Sequence, residues 1–145
     1  MAELPHDPAG LADAARYRIR AEDHVRFADI DMFGHCNNKS FAAFFEEARV
    51  VLSEKAGLPM DEGDLGRAMV RNTINYLAEM RLGDQVRIGV RVLRLGRSSI
   101  TIGSAIFRGD ECTATEEAVL VLFNRATKQP VEIPGDMRRN LETFL

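Results

Sequence analysis

A short polar stretch near the start of the chain concentrates side chains that can do chemistry. Asp29, Asp31, His35, Asn37 and Asn38 fall within ten residues. Carboxylates and imidazoles can abstract protons or attack an electrophilic carbon. The stretch mixes polar and turn-forming residues and keeps neither the helical nor the strand period, so it predicts a loop. This loop is the first candidate for a catalytic centre.

The loop leads directly into a predicted helix. Ser40 is a suitable N-cap, and the apolar residues after it recur at offsets of 0, 3, 4, 7 and 11, which make one helical stripe. The stripe consists of Phe41, Phe44, Phe45, Ala48 and Leu52. The helix is predicted to end near Lys55, before Gly57 and Pro59. Unpaired N–H groups at its start, near Asn38, lie at the positive end of the helix dipole and can stabilise an oxyanion.

Strands are predicted on both sides of this helix. Apolar residues alternate along 17–27, 68–77, 86–92, 100–106 and 119–123. Turn-forming residues at 83–84, 96–98 and 109–110 separate the later strands and predict antiparallel hairpins. Pro134 and Gly135 then begin a short C-terminal helix. This order predicts an α+β fold, with an antiparallel sheet that carries the long helix on one face.

Composition sets the broad class of the protein. The chain has 145 residues, which suits one domain, predicted over 17–145, after an arm over 1–16 that is predicted to be mobile. Its 19 basic and 22 acidic residues form no long block, so no nucleic-acid partner is expected. No apolar run predicts a signal peptide or a membrane span. Cys36 and Cys112 lie far apart, which argues against a disulfide or a zinc site and favours a cytoplasmic location.

No nucleotide-binding loop or metal-ligand pattern occurs in the sequence, so no cofactor and no metal are expected.

Two linked motifs resemble a known family. The run Phe27-Ala-Asp-Ile-Asp-Met-Phe-Gly-His-Cys-Asn-Asn, followed by Phe44-Phe-Glu-Glu-Ala-Arg49, closely resembles the 4-hydroxybenzoyl-CoA thioesterase branch of the hotdog superfamily. The resemblance extends from about Arg20 to Phe144. It implies a hotdog fold, with a five-stranded antiparallel sheet wrapped around one long helix, and hydrolysis of an acyl-CoA thioester to a carboxylic acid and coenzyme A.

The resemblance also assigns roles to the loop. It implies that Asp31 is the catalytic carboxylate, acting either as nucleophile or as general base. Backbone N–H groups near Asn38 would form the oxyanion hole. For His35 and Asn37 we expect roles in ordering the loop or positioning the substrate, or simple turn-stabilising hydrogen bonds.

Substrate contacts can be proposed on the same basis. Met32 and Phe33 suggest an apolar mouth, and Phe41 with the helix stripe would line the acyl pocket, although core packing explains the stripe equally well. Candidates for the coenzyme A phosphates are Arg94, Arg97, Ser98, Ser99 and Lys128. Glu46 or Glu47, with Arg49, is expected to fix the helix to the sheet or to a partner subunit.

The resemblance further implies that several copies of the chain assemble, and it leaves two alternative functions open. Two sheets would join edge to edge in a homodimer with active sites between subunits, and dimers would pair into a homotetramer. The His-x-Asn-Asn version of the loop is more similar to general or long-chain acyl-CoA thioesterases than to enzymes for the aromatic substrate, and the acyl chain stays open. Two rival interpretations are a hotdog dehydratase or hydratase and a non-catalytic module that binds acyl-CoA or acyl carrier protein.

Overall fold

The computed structural model describes residues 6–60 and 63–145. Its regular elements are β1 (Ile19–His24), α1 (Asn38–Ala56), β2 (Leu65–Tyr76), β3 (Gln85–Leu95), β4 (Ser99–Arg108), β5 (Glu111–Asn124) and α2 (Gly135–Glu142), with 3-10 turns at Ala14–Arg16 and Phe27–Asp29. The predicted fold is confirmed: the described residues form a five-stranded antiparallel sheet with one long helix and a short C-terminal helix. No helix among the described residues is long and apolar enough to span a membrane.

The strand order in the sheet is β1-β3-β4-β5-β2. The hairpins predicted at 96–98 and 109–110 are confirmed, since β3 pairs with β4 and β4 with β5. The hairpin predicted at 83–84 is wrong, because β2 pairs with β5 at one edge while β3 lies beside β1 near the other. Gly83 does turn the chain, with φ 86°, but its N–H donates to the carbonyl of Val25 after β1.

The inner face of the sheet packs on α1. The helix buries Phe44, Phe45 and Leu52 completely against inward residues of β3, β4 and β5. Its N-cap is Asn37 and not the predicted Ser40, and it ends at Gly57, which has φ 68°. The prediction placed the cap next to the first apolar residue of the stripe, but the helix begins earlier, at Asn38, and Asn is as good an N-cap as Ser.

The outer face is partly covered by residues 6–16. Leu11 and Tyr17 are buried, and the Tyr17 hydroxyl donates to the carbonyl of Leu11 at 2.6 Å. Gly89 makes room for this contact, because a Cβ there would lie 2.4 Å from Cγ of Tyr17. The arm predicted to be mobile contacts the sheet through Leu11, which lies against Gly103. Its mobility stays a prediction, and residues 1–5 lie outside the described residues.

One edge of the sheet is long and open to solvent. β2 has twelve residues, and within the described part of the chain it pairs only with β5. Residues 68–73 are all exposed, and Val70 keeps 62% of its surface accessible. An edge of this kind presents a row of unpaired backbone groups to another chain.

Candidate active site

Asp31 sits in a small hairpin that closes the loop before α1. A β-bridge joins Ile30 to Cys36, and the N–H of Asp31 donates to the carbonyl of His35 at 3.1 Å. Gly34 has φ 79°, a left-handed conformation that other residues adopt only with strain, and its N–H bonds the carbonyl of Asp31 at 3.0 Å. The turn therefore holds the backbone of Asp31 in a fixed position.

The carboxylate of Asp31 is held as firmly as its backbone. Oδ1 accepts the N–H of Phe33 at 2.9 Å, and Oδ2 accepts Nδ2 of Asn37 at 3.1 Å. Asn37 also caps α1, because its side-chain oxygen accepts the N–H of Lys39 at 3.0 Å. A single amide side chain thus fixes the carboxylate relative to the start of the helix.

The first turn of α1 leaves one donor unused. The N–H groups of Asn37, Lys39 and Ser40 all have acceptors, those of Asn37 and Ser40 being the carbonyls of Asp29 at 2.7 Å and Asn37 at 2.9 Å. The N–H of Asn38 has no hydrogen-bond partner among the described residues. A free N–H at a helix N-terminus suits a negatively charged oxygen.

Asp29, the other acid of the loop, has a structural role. Its side chain is buried, lies 3.1 Å from Nε of Arg26, and accepts the N–H of Arg26 at 2.9 Å. Burial alone would raise the pKa of this carboxyl, but the hydrogen bonds from Arg26 and Ser40 outweigh burial and lower the pKa below its ordinary value. Asp29 therefore anchors the loop while Asp31 faces open space.

Asp31 and Asn38 open into one cleft of about 420 Å³, which we call the Asp31 cleft. It lies between the loop, the start of α1 and residues 76–79, which comprise the last residue of β2 and the three that follow it. Phe41 and Tyr76 form its apolar wall, with their rings edge to face at 5.2 Å. The predicted acyl-pocket residue Phe41 thus lies beside the predicted carboxylate.

His35 reaches across this cleft to a residue that sequence reasoning missed. Its Nε2 lies 3.0 Å from Oε2 of Glu79, in the segment after β2. No sequence motif marks Glu79, and finding it requires knowing that β2 ends beside the loop.

Cys36 also lines the cleft as a protonated thiol. Burial, and after it the charges of Asp29, Asp31 and Asp84, raises the pKa of Cys36 to about 12. A buried thiol with a raised pKa is a poor nucleophile.

The other predicted substrate contacts divide into two groups. Met32 and Phe33 occupy the hairpin tip and are 91% and 77% exposed, and Phe33 lines the cleft.

The predicted phosphate-binding residues Arg94, Arg97, Ser98 and Ser99 lie at the β3–β4 turn. Ser99 pairs with Val121, seven residues along β5 from Ala114, which pairs with Tyr76 of the cleft. That spacing corresponds to roughly 23 Å along the strand, so within one chain the turn and Asp31 are not brought together. Lys128 follows β5 and lies over the Phe123 ring, at this same distant end.

The long helix is tied to the sheet by a buried ion pair. Nη1 of Arg49 lies 2.5 Å from Oε1 of Glu116 on β5, and the Glu116 side chain is completely buried. Glu46 and Glu47 are exposed, so Arg49 alone makes the helix-to-sheet contact expected of this group. The sequence signal for Glu116 is an acid between Ala114 and Ala118 at inward positions of the strand.

Among the described residues, no group of three or more His, Cys, Asp or Glu side chains is placed to hold a metal ion.

Comparisons with known proteins show similarity to thioesterases. Residues 25–141 match the model of the thioesterase-like superfamily. A solved structure from Pseudomonas aeruginosa strain PAO1 is 30% identical, with a TM-score of 0.82 over 90% of this chain and 93% of that one. A thioesterase from Thermus thermophilus, solved with coenzyme A and zinc, is also 30% identical, with a TM-score of 0.79 over 88% of this chain and 95% of that one. The uncharacterised protein YsmA of Bacillus subtilis is 31% identical over 54% of this chain, a match that spans about half of that protein, 53%.

Proposed function

This chain belongs to the thioesterase-like superfamily, and on that premise we propose that it hydrolyses an acyl-CoA thioester to a carboxylic acid and coenzyme A. We further propose that it acts in the manner of the 4-hydroxybenzoyl-CoA thioesterase family. The observation that carries the proposal is the pair of hydrogen bonds made by the Asn37 side chain. Asn37 holds the Asp31 carboxylate and caps the helix whose Asn38 N–H is unused.

Asp31 is the proposed catalytic residue, by one of two routes. As general base, it takes a proton from water while the water oxygen attacks the thioester carbonyl, and the proton then passes to the departing thiolate. As nucleophile, Asp31 forms a mixed anhydride as the C–S bond breaks, and water then hydrolyses the anhydride. In both routes the thiolate is a good leaving group, so a carboxylate is a sufficient catalyst.

The Asn38 N–H is the proposed oxyanion donor. Attack at the carbonyl places negative charge on its oxygen, and a preorganised donor at a helix N-terminus stabilises that charge in the transition state. Loss of one such donor typically costs about 3 kcal/mol. Because the donor is backbone, side-chain replacement at Asn38 leaves it in place.

His35 and Asn37 are proposed to position these groups. Asn37 contacts the carboxylate directly at 3.1 Å and fixes its distance from the helix. His35 is bound to Glu79 at 3.0 Å and ties the Asp31 hairpin to the opposite wall of the cleft. Both contacts support a rigid site, which lowers the entropic cost of reaching the transition state.

We propose that coenzyme A is shared between two subunits of a homodimer. If β2 pairs with the β2 of a second copy about a two-fold axis, its Leu65 end lies beside the partner's Tyr76 end. The β3–β4 turn lies at the Leu65 end of the sheet, because Ser98 bonds Leu122 on β5. A partner's turn, with its equivalents of Arg94, Arg97, Ser98 and Ser99, would then approach this chain's cleft. Pairing of such dimers would give the proposed homotetramer.

The test is thiol release from a panel of benzoyl-, phenylacetyl-, short-chain and long-chain acyl-CoA substrates. We expect wild type to hydrolyse part of the panel and Asp31→Asn to lose at least about a hundredfold in rate, the lower range for removing a general base. Asp110→Asn, an exposed acid in the β4–β5 turn, is the matched control and should keep full activity. Circular dichroism checks that both variants fold.

Each failure has its own meaning. Binding of acyl-CoA without turnover by wild type would favour the binding-module interpretation. Addition of water to an enoyl-CoA would favour a hydratase. Equal activity of wild type and Asp31→Asn would remove Asp31 from the mechanism.

A further inference from the structure

A second cavity lies on the outer face of the sheet, away from α1. We call it the outer cavity; it encloses about 180 Å³ between residues 6–12 and the outward side chains of β2 and β5. Thr73, Asn75 and Thr115 form its floor, and Leu11 and Ala12 lie across it. The proposed mechanism assigns no function to it.

The outer cavity and the Asp31 cleft meet at one residue. Leu77 lines both. Along β2 the side chains alternate, so Tyr76 faces the cleft while Asn75 faces the outer cavity. Beyond Tyr76 the N–H groups of Leu77 and Ala78 still donate to the carbonyl of Thr113 on β5, so the chain is closed on that side. Its other side is the free edge of the sheet among the described residues. A route between the two cavities would therefore run around this free edge at Leu77.

The lining of the outer cavity suits a neutral, amide-bearing ligand. Arg71 is its one arginine or lysine among the described residues, and it is paired with Glu117. The Asp7 carboxylate already accepts the N–H groups of Leu11 at 2.7 Å and Ala12 at 2.9 Å. By contrast, the amide of Asn75 makes only a long contact, 3.4 Å, to the hydroxyl of Thr115. A phosphate would find no unpaired arginine or lysine here, whereas an amide would find donors and acceptors that exchange partners at little cost.

We propose that the outer cavity binds the pantetheine arm of the substrate, with Asn75 and Thr73 as hydrogen-bond partners of its amides. The inference rests on the proposed acyl-CoA thioesterase activity. The thioester lies at Asp31, the arm turns around Leu77, and the nucleotide extends beyond the cavity. The segment 6–12 is then part of the coenzyme site.

The experiment compares three thioesters of one acyl group: with coenzyme A, with pantetheine, and with 2-mercaptoethanol, which has no amide. Asn75→Leu removes the polar partner, and Ala12→Leu fills the cavity from the opposite side. We expect each variant to raise KM about five- to tenfold for the first two thioesters with little change in kcat, Asn75→Leu by removing about one hydrogen bond and Ala12→Leu by occupying the space of the arm. The ratio of kcat/KM for acyl-CoA over the mercaptoethanol thioester should fall by the same factor. Asn140→Leu, at an exposed position on α2, should leave this ratio unchanged.

Other patterns overturn the proposal. An effect on acyl-CoA but not on acyl-pantetheine would place the nucleotide in the cavity. Equal effects on all three thioesters would mean that the acyl site is disturbed, and no effect would leave the cavity outside the site. If wild type hydrolyses no thioester, calorimetric titration with pantetheine decides. Weaker binding by Asn75→Leu than by wild type would support the cavity as the pantetheine site although the proposed hydrolysis has failed. Unchanged or absent binding would refute the pantetheine site as well as the proposed hydrolysis.

Discussion

Removal of Glu116 should destabilise the protein far more than removal of its neighbour Glu117. Glu116 is completely buried, and its one ionic partner, Arg49, has 12% of its side chain exposed. Glu116→Ala therefore leaves an arginine buried without its counter-charge. Breaking a buried pair in this way costs about 3–5 kcal/mol in the free energy of unfolding. Because Oε2 of Glu116 has no hydrogen-bond partner among the described residues, the carboxylate already carries part of a desolvation cost, which favours the lower end, about 3 kcal/mol.

Glu117→Ala is the matched control, one residue away on the opposite face of β5. Glu117 pairs with Arg71, but the two side chains are 38% and 58% exposed. Solvent screens such a pair, so its loss should cost less than about 1 kcal/mol. Replacing both buried partners, Arg49→Met with Glu116→Leu, should recover most of the stability, because apolar side chains of similar size need no counter-charge.

Urea denaturation followed by circular dichroism measures these differences at equilibrium, and thermal melting provides a second measure. For a chain of this size about 3 kcal/mol corresponds to roughly 6–12 °C in Tm. Equal losses for Glu116→Ala and Glu117→Ala would refute the reasoning. A double variant less stable than Glu116→Ala would also refute it, because the intact ion pair would then stabilise the fold by more than the avoided cost of an unpaired Arg49.

Three further results are expected. Asn37→Ala should cost about 1 kcal/mol of stability through loss of the N-cap, and Asn37→Ser only a few tenths. Both variants should reduce thioesterase kcat at least about tenfold, because Asp31 loses its amide donor. Full activity of the Ser variant would show that Asp31 needs no such contact. Cys36, with a pKa of about 12, should react with a disulfide reagent at pH 8 much more slowly than free cysteine and normally once urea unfolds the chain, so rapid labelling of the native protein would contradict its burial. Asp29→Asn should be less stable than wild type at pH 7. The difference in the free energy of unfolding should narrow below about pH 4 and close as the pH falls further, because a carboxyl whose pKa is lowered from the ordinary 3.8 stabilises the fold only while it is ionised. A difference that stays constant from pH 7 to pH 3 would show that Asp29 acts through shape and not through charge.

The sequence alone determined most of the fold and the position of the candidate site. Local periodicity is set by the chain itself, so the apolar stripe of α1 and the alternation of β3, β4 and β5 predicted those elements close to where they lie. The dense polar stretch before α1 predicted the loop, and the structure places Asp31, His35 and Asn38 around one cleft. These features need no knowledge of which strands pair.

Only the tertiary structure decided what depends on strand pairing. β2 pairs with β5, far along the chain, and so the turn at 83–84 was wrongly predicted to be a hairpin. That pairing brings Glu79 to His35, sets Glu116 beneath Arg49, and leaves the β3–β4 turn far from Asp31. The predicted N-cap was Ser40, whereas in the structure Asn37 caps the helix and also holds the Asp31 carboxylate. The physical reason is the same throughout: short-range spacing reports the local backbone period, whereas contacts between distant residues depend on how the whole sheet closes around its helix.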